Sequence, residues 1–147
     1  MTKLEYGLTE IGLTNDDIYW DDDYTTSFIN DDRQAMWKKE KEKYGFDDRE
    51  MWSLGSRIAI FIYPRLKYFR EYCDDMSIPM TLTLIQWQKI LDMMLFSVRE
   101  LSTDFAQSPV KNGNESEEEY FLRLKKYKRK YRDGMIALGI WLPALWY

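Results

Sequence analysis

The sequence predicts an all-α domain of about four main helices behind an irregular acidic N-terminal arm, and three observations carry that prediction. Apolar residues recur at helical spacing in the later stretches of the chain. The run Arg57-Ile58-Ala59-Ile60-Phe61-Ile62-Tyr63 is apolar almost all round. Helix-start signals stand where those stretches begin. At 147 residues the chain is the length of one ordinary domain and long enough to bury a core. Its composition, 45% hydrophobic and 31% charged, is that of a folded protein rather than a disordered one.

Residues 1–30 form the arm and 31–147 the helical domain. Through Asp32 the chain sets nine carboxylates against Lys3 alone, a side-chain sum of minus 8, and Ile11, Leu13, Ile18, Tyr19 and Trp20 are scattered among them without a sustained period. A partly extended strap lying on the body, or reaching a neighbouring subunit, is the form such a segment takes. Asn30 is placed to cap a first helix over about 31–44, with Asp31 and Asp32 in its opening turn, lysines near its end and Gly45 at the stop. Asp47 or Asp48 starts the next element. Its all-round apolar run predicts a helix crossing the middle of the domain, kinked near 60–64 by Pro64, which lacks an amide donor and leaves a carbonyl to another partner.

A third helix is expected from about Thr83 to Thr103, where Leu84, Trp87, Leu91, Met94, Val98 and Leu101 share one face. After a turn-rich loop, Ser116 and Glu119 form an S-x-x-E capping box for a fourth helix over about 117–140. Its stripe is Tyr120, Leu124, Tyr127, Tyr131, Gly134 and Leu138. Seven cations lie between Arg123 and Arg132 without an intervening carboxylate. The apolar tail Leu138–Tyr147 is too short to span a bilayer and is expected to dock; together with the Tyr stripe it leads us to expect a homo-oligomer.

Several function classes fall away on composition. There is no histidine and one cysteine, Cys73, so zinc sites, Ser-His and Cys-His nucleophiles and an intrachain disulfide are all out of reach. No phosphate-binding glycine loop is present. No cofactor and no catalytic set are expected. The lone cysteine and the lack of an apolar leader predict a reducing, cytoplasmic setting.

What the sequence does offer is cations beside rings. The acidic remainder weighs against a long nucleic acid, whereas a small phosphorylated ligand needs only a few cations. Aromatic residues at 16% are numerous, and a large core, a subunit interface and a stacking surface for planar ligands would each use them. The candidate ligand-binding residues are Arg49, Trp52, Arg57, Tyr63, Arg65, Lys67, Arg123, Lys126, Tyr127 and Lys130. On the helical wheel Arg65 shares a side with Leu54, Ile58, Phe61, Ile62 and Phe69. A guanidinium there is either half of an ion pair with a carboxylate or a bidentate clamp for a phosphate. Trp52 and Trp87 read first as core anchors.

Three stretches also carry a resemblance: Asp48-Arg49-Glu50-x-Trp52-x-Leu54, then Ile58-Ala59-x-Phe61-Ile62-x-Pro64-Arg65-Leu66-Lys67-x-Phe69, then Trp87-x-x-Ile90-Leu91-Asp92. Across about residues 44–98 the chain resembles a group of small helical phage proteins and looks like the anti-CBASS sponges, which sequester cyclic oligonucleotide immune signals. Gly55 departs from the pattern, which has an aspartate there. The resemblance implies a non-catalytic binder of a cyclic dinucleotide such as cyclic GMP-AMP, assembled as a homo-oligomer of four with ligand sites at subunit contacts, in the cytoplasm of an infected bacterium. A competing reading is a phage protein that inhibits a host protein through its acidic arm or apolar tail, and a third is a magnesium-dependent hydrolase built on carboxylates.

Overall fold

In the computed structural model the described residues are Glu10, 31–74 and 77–146. The arm other than Glu10, and the Asn30 cap, lie outside them. The described part is all helical: α1 (Asp31–Tyr44), α2 (Leu54–Tyr72), α3 (Leu84–Ser102) and α4 (Glu117–Trp141), with short 3-10 turns at Asp48–Met51 and Leu142–Ala144. No helix among the described residues is long and apolar enough to cross a membrane.

Local chemistry sets the boundaries. Gly45 ends α1 with a left-handed φ of 81°, its amide bonding back to the Lys41 carbonyl at 2.9 Å. Ser116 and Glu119 close the expected capping box at the head of α4. A second box, Thr83 with Gln86, heads α3. α2 stays helical on both sides of Pro64. One carbonyl near the proline finds the kind of partner expected, for Arg65 Nη1 donates to the Phe61 oxygen at 2.7 Å.

The packing corrects the expected order of layers. α3, not α2, is the central helix: α2 and α4 both lie on α3 and share little contact with each other. Ser56 bonds Asp104 at 2.6 Å and Arg70 bonds Asp92 at 2.8 Å, so α2 runs antiparallel to α3. Ser97 donates to the Tyr131 carbonyl at 2.7 Å, and the rings of Trp87 and Trp141 meet edge to face at 5.7 Å, so α4 is antiparallel to α3 as well. Ala59, Tyr63 and Leu66 of α2, Trp87, Leu91, Met94 and Val98 of α3, and Ala137 of α4 make the core. An apolar surface all round α2 reflects two separate faces, one buried on α3 and the other exposed.

Two further expectations change. Trp52 is 58% exposed, while Trp37, which the wheel did not single out, is fully buried. The Tyr stripe of α4 and the C-terminal tail are spent inside the protein only in part: Tyr127 and Tyr131 stand edge to face on Phe96 and Phe105, and Trp141, Ala144 and Leu145 pack against the core, while Ile140, Leu142 and Trp146 stay exposed. The outer face of α2 adds a further row of exposed apolar side chains.

Gly134 fixes the closest approach of α4 to α3. A Cβ there would fall 2.0 Å from Ser97 Oγ and 2.2 Å from the Met93 carbonyl oxygen, the latter held in the backbone of α3. Gly134→Ala is therefore expected to cost at least about 2 kcal/mol by forcing the helices apart. Trp87→Ala, which empties the core, should cost about 3–5 kcal/mol. Trp87→Phe should cost far less, because the buried indole N–H has no acceptor among the described residues. Trp52→Ala should lie below Trp87→Ala by 1 kcal/mol or more, on the order expected for a half-exposed ring. Thermal melts of the four variants rank them.

Candidate functional site

The ten sequence-derived residues fall into three environments. Arg49 and Tyr63 are inside the protein. Arg57, Lys67 and Tyr127 are half-buried, and Trp52, Arg65, Arg123, Lys126 and Lys130 are exposed. Because α3 stands between α2 and α4, one copy of the chain does not gather the 49–67 and 123–130 cations around a common cavity.

Arg49 belongs to a knot that ties α1 to the following turn. Asp47 caps that turn by accepting from the Arg49 amide at 3.1 Å and grips the Arg49 side chain at 2.8 and 2.7 Å. The guanidinium lies 4.5 Å from the centre of the Trp37 ring, and the Trp37 indole N–H donates to Asp48. The Asp48 amide donates to Glu40 of α1 at 3.0 Å. Hydrogen bonding from Arg49 holds the Asp47 carboxyl below its usual range. Both charges are almost wholly shielded from water, so each needs the other.

Tyr63 packs in the core, and burial pushes its hydroxyl up. Lys67 pairs with Glu10 and stands 3.8 Å from Glu71, which places that one described point of the arm on α2. Arg123 is engaged by Glu115 at 2.5 and 2.8 Å and by the Val110 carbonyl at 2.9 Å, pinning the loop before α4 to its second turn. Those hydrogen bonds bring the Glu115 carboxyl down to about 2. Tyr127 donates to the buried Glu100 of α3, and its hydroxyl is raised far above the ordinary range, first by burial and then by that carboxylate.

Of the ten, two cations remain that lie over rings and have no carboxylate partner among the described residues. The Arg65 guanidinium is 3.7 Å from the centre of Phe61, one turn earlier on α2, and is steadied by the Phe61 carbonyl. Lys130 Nζ is 4.0 Å from the centre of Phe96, and Lys126 sits one turn before it on the same flank of α4. These are exposed, ring-backed positive points able to meet an anion, as is Lys43, whose Nζ lies 4.8 Å from the centre of Tyr44 on α1. Arg65 is thus not half of a buried ion pair. Phe61 could have been found from sequence, since residues four apart share a helix face. Phe96 required the α3–α4 packing, and the Asp47 grip on Arg49 required the turn geometry.

Two hollows among the described residues are lined by neither Arg65 nor Lys130. One of about 690 Å³ is apolar, between Ile78, Pro79 and Met80 and the α4 end at Ile140, Trp141 and Trp146. Another, of about 530 Å³, lies on α1 between Ala35, Met36, Lys39, Glu40, Lys43 and Tyr44. No family model matches the chain, and comparison with curated proteins and with solved structures finds no match.

Replacing Arg49 with Met leaves the Asp47 carboxylate buried without its partner, with an expected loss of about 3–5 kcal/mol. Because the folded-state pKa of Asp47 is depressed, its contribution is present above the ordinary carboxylate value near 3.8 and is lost as pH falls through the lower folded value. Acid unfolding followed by tryptophan fluorescence should show a limb below that value in the native chain and lose it in Arg49→Met.

Proposed function

We propose that this protein sequesters a cyclic dinucleotide such as cyclic GMP-AMP without chemical conversion, as a homo-oligomer, and thereby blunts CBASS defence in the cytoplasm of a phage-infected bacterium. The observation that carries the reading is the pair of ring-backed cations, Arg65 over Phe61 and Lys130 over Phe96, both exposed and both without a carboxylate partner among the described residues. A cyclic dinucleotide presents two phosphates and two purine faces. Guanidinium and ammonium groups meet the former, and exposed rings such as Trp52 meet the latter. The resemblance to the anti-CBASS sponges supports the reading, since Arg65 and Lys67 both lie in the Pro64-Arg65-Leu66-Lys67 segment on which it rests. The separation of the α2 and α4 cations within one copy favours sites completed by a neighbouring subunit, and the resemblance favours four subunits.

The alternative, inhibition of a host protein, draws on the acidic arm and the apolar hollow beside the C-terminal tail. One experiment separates the readings. The protein is incubated with cyclic GMP-AMP, the free nucleotide is measured, and the bound fraction is released by heat and chromatographed. Depletion with intact recovery is the expected result; degradation means an enzyme, and no depletion favours the host-protein reading. Arg65→Lys keeps the charge but loses the planar fork, and Lys130→Ala loses the charge. Each is expected to weaken calorimetric affinity by roughly ten- to a hundredfold at unchanged melting temperature. Unchanged affinity in both folded variants overturns the clamp assignment.

A further inference from the structure

The exposed face of α2 has a pattern of its own. Leu54, Ile58, Phe61, Arg65, Tyr68 and Tyr72 follow one another in alternating steps of four and three residues along its 19 residues. The five apolar members are 43–52% exposed. On the helix this row lies opposite Ala59, Tyr63 and Leu66, which face the core. Positions 54, 61 and 68, and likewise 58, 65 and 72, recur every seven residues, a spacing compatible with knobs-into-holes packing against a helix partner.

We propose that two copies of this chain pair through α2, antiparallel, across this row. The row is complementary to its own reverse. Run antiparallel, Leu54 meets Tyr72 of the second copy, Ile58 meets Tyr68, and Phe61 meets Arg65, so each layer sets one aliphatic or cationic side chain against one ring. The Arg65 head already lies on Phe61 within its own chain, and it gains a second ring from the other copy. In the parallel arrangement the same residues face themselves, with Arg65 against Arg65 and Tyr72 against Tyr72. Charge at the flank agrees with the antiparallel register, because Arg57 of one copy comes within two residues, about 3 Å along the axis, of the level of Glu71 of the other. α2 spans about 28 Å at 1.5 Å per residue, enough for six such layers. The pairing rests on the self-association proposed above but not on the nucleotide. It places the two Arg65 heads either side of one two-fold axis, where a ligand with two phosphates meets both.

The test uses the full chain without nucleotide. Light scattering at about 50 µM is expected to give a multiple of 17.8 kDa, and Ile58→Glu should return it to one copy with unchanged far-ultraviolet circular dichroism. In a Cys73→Ser background, Leu54→Cys combined with Tyr72→Cys should form an interchain disulfide under mild oxidation, while Leu54→Cys alone should not. A single-copy mass for the native chain overturns the proposal and points to the acidic arm or a foreign helix as what covers the row. An Ile58→Glu variant that stays associated assigns the contact to another face. Crosslinking by Leu54→Cys alone, or failure of the double variant in an associated protein, overturns the antiparallel register. Nucleotide binding by a single-copy protein would leave sequestration standing while removing this pairing.

Discussion

The close approach of α4 to α3 at Gly134 is the constraint on which most of the arrangement depends. With no side chain at that point, the Ser97 hydroxyl reaches the Tyr131 carbonyl, and the two backbones lie nearer than any larger residue permits. That distance carries Tyr127 to the buried Glu100, sets Lys130 above Phe96, and closes the far end with Trp141 against Trp87. None of these contacts is local in sequence. Each follows from two antiparallel helices held at one separation and one register.

Arginine shows how the same side chain divides between support and surface. Arg49 is sealed in the knot with Asp47 and Trp37, where its charge is neutralised and its plane is covered. Arg65 is fixed just as firmly, by a carbonyl and a ring, but its fixing partners are neutral, so its charge remains available outward. The difference lies in the immediate neighbours: Asp47 two residues before Arg49, Phe61 four residues before Arg65. A neutral scaffold under a cation is what separates a preorganised anion contact from a structural ion pair.

Much of the fold was legible because its signals are local. The Ser116–Glu119 box, the Gly45 stop and the apolar row from Trp87 to Val98 each depend on residues within a turn or two of one another, and the helices begin and end close to where those residues put them. What was illegible is which face meets which neighbour. A helix apolar all round is equally consistent with a central position and with an edge helix that has a second, outward apolar face; α2 proved to be the edge helix. For the same reason Trp52 and Trp37 exchanged roles, since the burial of Trp37 is set by Arg49 and Asp48 folding back over it. Of the candidate site, Arg65 with its ring was within reach of helical spacing, while Lys130 on Phe96 existed only once α3 and α4 had packed.

The central position of α3 also bears on the order in which the molecule takes shape during synthesis. α2 and α3 leave the ribosome before α4, and their antiparallel contact across residues 73–83 is local enough to close ahead of it. Yet Trp87 and Ser97 keep one side of α3 uncovered until the segment around Gly134 and Trp141 has been made. A nascent chain stalled before Gly134 would carry two apolar faces, the outer row of α2 and the vacant side of α3. The last turns of α4 thus cover the second of these faces and leave the first as it is in the finished chain.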